Sequence, residues 1–65
     1  MNHGKVARAA ELCLGSCAQT ERPLIALAAL IKGMQDDPNW TEDEVSAVRA
    51  LVTQELFKMI EDRAG

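Results

Sequence analysis

The sequence predicts an all-α fold, a small bundle of two to three helices. Three observations carry that prediction. Apolar residues recur at helical spacing through most of the 65-residue chain. Nowhere do β-branched residues alternate with polar ones in the period-two pattern of a half-buried strand. Two Pro-containing stretches, Thr20-Glu21-Arg22-Pro23 and Gln35-Asp36-Asp37-Pro38, punctuate the chain into three segments. The length and the absence of internal repeats or low-complexity segments predict one domain over residues 1–65.

The first segment predicts a helix over about 5–17. Val6, Ala9, Ala10, Cys13, Leu14 and Cys17 share one apolar face, with Lys5, Arg8 and Glu11 off it. Residues Met1 to Gly4 are expected to be disordered. The second segment predicts a helix over about 21–35. Thr20 fits its N-cap and Pro23 its first turn, where a missing N–H is harmless. Leu24 to Ile31 are eight consecutive apolar residues, so this helix is apolar on every side. Only two other helices are available to cover it within the chain, which predicts a second chain.

The third segment predicts a helix over about 42–62. Thr41 with Glu44 three residues on forms a capping box, and Trp40 before it pairs with Val45 as a hydrophobic staple. Glu42, Asp43 and Glu44 complement the helix dipole at its start, and Lys58 and Arg63 do so near its end. Val45, Val48, Val52, Leu56, Met59 and Ile60 fall within an arc of roughly 120° and define a core face. Leu51 and Phe57 sit on its two shoulders and Arg49 just inside its edge. This is either the composition of a binding surface, or a set that packs under the other helices while Arg49 snorkels to solvent.

Several classes of function are disfavoured. No apolar run reaches the roughly 20 residues of a spanning helix. Interfacial membrane helices have a strongly basic polar face, which the second helix lacks. The one His, at position 3, supports no Ser-His-Asp arrangement, and a Cys17–His3 dyad requires the N-terminus to fold back. The four glycines are scattered, so no phosphate-cradling loop exists. Asp36-Asp37-Pro38-Asn39 lacks the central Gly and alternating acids of a calcium loop and reads as a turn. No enzyme activity and no cofactor are expected.

Cys13 and Cys17 are too few for a secreted disulfide framework and read as small buried side chains in a reducing cytosol. An alternative is a metal- or thiol-dependent module in which two chains together supply four thiolates. Leu14-Gly15-Ser16-Cys17 resembles the lipobox of bacterial lipoproteins, but Glu11 interrupts the apolar stretch a leader requires. The expected location is therefore cytoplasmic, and a compact, Ala-rich chain fits a bacterial or phage origin.

A DNA-binding regulator is the other alternative. Charge opposes it: residues 1–35 hold four bases and two acids, whereas residues 36–65 hold three bases and eight acids. The best-formed helix is the acidic one. The acidic half instead suits a partner with a basic groove.

The reading that follows is a regulatory protein–protein interaction module: an adaptor, anti-activator, chaperone or inhibitor. It acts through an apolar helical surface as a homodimer, with the second and third helices of both chains in one bundle. Leu24, Leu27, Leu30 and Ile31 are the predicted anchors on the second helix. Leu51 and Phe57 are those on the third, and Arg49 supplies polar specificity.

Overall fold

The computed structural model describes residues 2–64. They form helix α1 (His3–Ala18), helix α2 (Pro23–Gln35) and helix α3 (Glu42–Ala64), with no strand among the described residues. The all-α expectation is met, with three helices.

Helix α3 starts where its capping box places it. Thr41 Oγ1 accepts the Glu44 N–H at 3.2 Å, and Glu44 Oε1 accepts the Thr41 N–H at 3.1 Å. Two donors that the helix cannot satisfy internally are thereby paired reciprocally. Trp40, the residue before the cap, is half-buried against the core that Val45 belongs to, as a staple requires.

The start of α1 departs from expectation. Asn2 is an N-cap whose side chain accepts the Lys5 N–H at 3.1 Å, so the helix begins at His3. Met1 lies outside the described residues, but Asn2 to Gly4 are ordered. The reason is tertiary. The Asn2 N–H donates to Glu44 Oε2 at 3.4 Å, and the Lys5 ammonium lies 3.4 Å from Glu44 Oε1. That ammonium also donates to the Asn39 carbonyl and sits 4.3 Å from the centre of the Trp40 ring.

Helix α2 begins two residues later than expected. Arg22 is its N-cap and makes no side-chain cap bond, while Pro23 occupies the first helical position. Thr20 does not cap the helix. Its hydroxyl accepts the Arg22 N–H at 3.3 Å in a local turn.

The core is built from the faces read in the sequence. Helix α1 buries Val6, Cys13 and Cys17, with Ala9, Ala10 and Leu14 packed around them. Helix α2 contributes Leu27 and Ile31, and α3 contributes Val45, Val48, Val52 and Leu56. Short connections make α2 antiparallel to both neighbours and leave α1 and α3 parallel. Lys5 is therefore level with Glu44, and Leu14 with Val52.

The helices differ in length. At 1.5 Å per residue α3 is about 34 Å long, against about 24 Å for α1 and about 20 Å for α2. Its last part therefore runs past its neighbours. No described residue after Leu56 is buried; Met59 is half-buried against the core, whereas Ile60, expected in the core with it, is 42% exposed.

Glu44 is only 5% exposed, and its carboxyl is lowered from 4.5 to about 2. The Thr41 N–H is the largest cause and burial opposes it. The Asn2 N–H, the Thr41 hydroxyl and the Lys5 ammonium add to the lowering. Because the folded value lies below the unfolded one, the stabilisation is complete above about pH 4.5 and is lost as pH falls toward about 2. Glu44→Gln is expected to melt lower than the parent at neutral pH, with a difference that shrinks through this window; a constant difference in thermal melts would contradict the assignment. Thr41→Ala is expected to cost about 0.5–2 kcal/mol in denaturant unfolding, and Leu56→Ala about 2–5 kcal/mol.

Candidate functional site

Three helices of unequal length leave large apolar side chains outside the core. Helix α2 exposes Leu24, Ile25 and Leu30, and α3 exposes Leu51, Phe57 and Ile60. Leu12 of α1 is exposed as well.

A groove of about 480 Å³ lies between α2 and α3. The edges of Leu27 and Ile31 form its floor, although both side chains belong to the core. Leu24 and Ala28 of α2 face Thr53 of α3 across it. Lys32, Gln35 and Arg49 give its other end a polar, cationic rim. Neither Lys32 nor Arg49 has an ion-pair partner among the described residues.

The groove follows from helical spacing. Leu24, Ala28 and Lys32 lie four residues apart along one ridge of α2, as Arg49, Thr53 and Phe57 do on α3. Phe57 thus continues the α3 wall one turn beyond Thr53. It is 51% exposed.

The predicted binding residues therefore do not form one patch. Leu24, Leu27, Ile31 and Arg49 come together in this groove, and Phe57 extends its line. Leu51 lies on the opposite flank of α3, beside Ala10 and Leu14 of α1, in a smaller groove of about 260 Å³ rimmed by Glu11 and Glu55. Leu30 is on the flank of α2 away from the first groove. Of the two readings of Leu51 and Phe57, burial under the other helices is not what occurs, since both are exposed. Arg49 is exposed too.

Sequence reasoning missed Ile25, Leu12 and Lys32. Ile25 is 62% exposed, opposite Leu27 on the helical wheel. Leu12 sits 100° from Cys13, off the α1 core face, and that offset was visible in the spacing. Lys32 lies two helical steps of four residues beyond Leu24, which places it on the groove's ridge of α2.

The thiols are enclosed. Cys13 and Cys17 are free and buried, and Cys17 is 0% exposed. Burial pushes both thiols above their ordinary value of 9.0, and Cys13 adds to the rise at Cys17. His3 begins the same helix that holds Cys17, about 21 Å away along the axis, so the two cannot act as a dyad. Among the described residues no three His, Cys, Asp or Glu side chains gather to hold a metal ion. No helix among them is long and apolar enough to cross a membrane.

Buried, protonated thiols predict slow modification by a thiol reagent in the native protein and rapid modification of both once denatured; fast labelling of either in the folded state would contradict the packing of α1. No family model, curated protein or solved structure matches the chain.

Proposed function

We propose that this chain is a small regulatory protein–protein interaction module, of the adaptor, anti-activator or inhibitor kind, that acts through an apolar helical surface as a homodimer. The supporting observation is the apolar surface left outside the bundle at one end. There Leu24 and Ile25 in the first turn of α2 lie toward the end of the bundle from which Phe57 and Ile60 project. Removing apolar surface from water is worth roughly 25 cal/mol per Å², and aromatic side chains such as Phe57 are enriched in binding hot spots. The enclosed free thiols suit a reducing compartment, so the cytoplasm is the proposed location.

Sedimentation equilibrium on the full chain is expected to show a dimer at tens of micromolar; a stable, soluble monomer there would overturn the homodimer. For the partner, a host protein retained by the immobilised chain is expected to be lost with Ile25→Ser plus Ile60→Ser, two exposed residues at this end that do not line the α2–α3 groove; equal retention would remove this end of the bundle from the function.

A further inference from the structure

We infer that a second copy of this chain lays its exposed α3 segment, with Phe57 and Glu61, into the α2–α3 groove, reciprocally about a two-fold axis near the middle of α3. The inference rests on the homodimer reading and gives it a register. Its first support is spacing. With two α3 helices antiparallel, any pairing that sets Arg49 against Glu61 of the partner subunit also sets Thr53 against Phe57 of the partner subunit. Both pairs are separated by one helical step of four residues. Phe57 of the partner subunit then falls between the groove walls at Leu24 and Thr53, over the apolar floor.

Charge is the second support. The groove rim carries Lys32 and Arg49, and the exposed end of α3 carries Glu61 on the same ridge as Phe57. None of these three has an ion-pair partner among the described residues. The basic residue Lys58 is occupied on the other flank of α3, 3.5 Å from Glu55. An apolar slot with a cationic rim matches an aromatic residue followed one turn later by an acid.

Closure is the third. Groove wall and inserting segment lie on one ridge of one helix, so a single two-fold operation satisfies both copies at once and leaves neither groove open. That is the self-complementary geometry of a closed dimer. The smaller α1–α3 groove does not match: its rim of Glu11 and Glu55 would repel the same acidic segment.

A charge-swap cycle read by sedimentation equilibrium tests this. Arg49→Glu and Glu61→Arg are expected each to raise the dimer dissociation constant roughly tenfold or more at low salt. The double variant, with unchanged net charge, is expected to return toward the parent. Asp62→Arg, the same charge change 100° around the helix, is expected to have little effect. All three positions are exposed, so helicity by circular dichroism should be unaltered. A parent that is monomeric overturns the homodimer reading and this inference together. A dimer that ignores both single swaps, or that Asp62→Arg weakens as much as Glu61→Arg, overturns the groove register alone.

Discussion

The Glu44 carboxylate is the constraint from which the arrangement of the helices follows. One buried group accepts from the Thr41 N–H and hydroxyl, from the Asn2 N–H and from the Lys5 ammonium. The first pair starts α3; the second holds the beginning of α1 against it. Since Asn2 also caps α1, one carboxylate links the N-termini of two parallel helices and places them level. Their valine- and cysteine-bearing faces then meet in register, with Val6 near the level of Val45 and Cys13 nearer that of Val52. The cation of Lys5 is shared between this carboxylate and the Trp40 ring, so the staple of α3 and the cap of α1 are parts of one junction.

The fold was legible where the information is local. The Thr41–Glu44 box and the core faces of Val6 to Cys17 and Val45 to Leu56 are patterns within a single helix. Where a neighbour decides the outcome, the reading failed. Asn2 looked like part of a loose end because its order depends on a residue 42 positions away. Ile60 has the right helical angle for the core, but angle says nothing about how far α1 and α2 extend. For the site, the apolar excess of α2 was visible, whereas its division between core, groove and open flank was not. Leu27 and Ile31 differ from Leu24 and Ile25 only in which way α2 is turned, and that is set by packing.

Small side chains shape the surface as much as large ones. Ala28 beside the α2–α3 groove and Ala7 and Ala10 beside the α1–α3 groove allow close helix approach but do not fill the space between ridges. A bundle with larger residues at these positions would be smoother. Here the shortage of side-chain volume turns helix boundaries into concavities, so the composition that makes the core thin also leaves grooves on the surface.

The unequal helix lengths give α3 two different regimes of order within one continuous helix. From Val45 to Leu56 its inner face, with Val45, Val48, Val52 and Leu56, is packed beneath the other helices. Beyond Leu56 only Met59, among the described residues, is still packed against the core, so the helix there rests largely on its own propensity. Amide exchange along α3 is therefore expected to run on two clocks, with the change between them near the turn that carries Phe57.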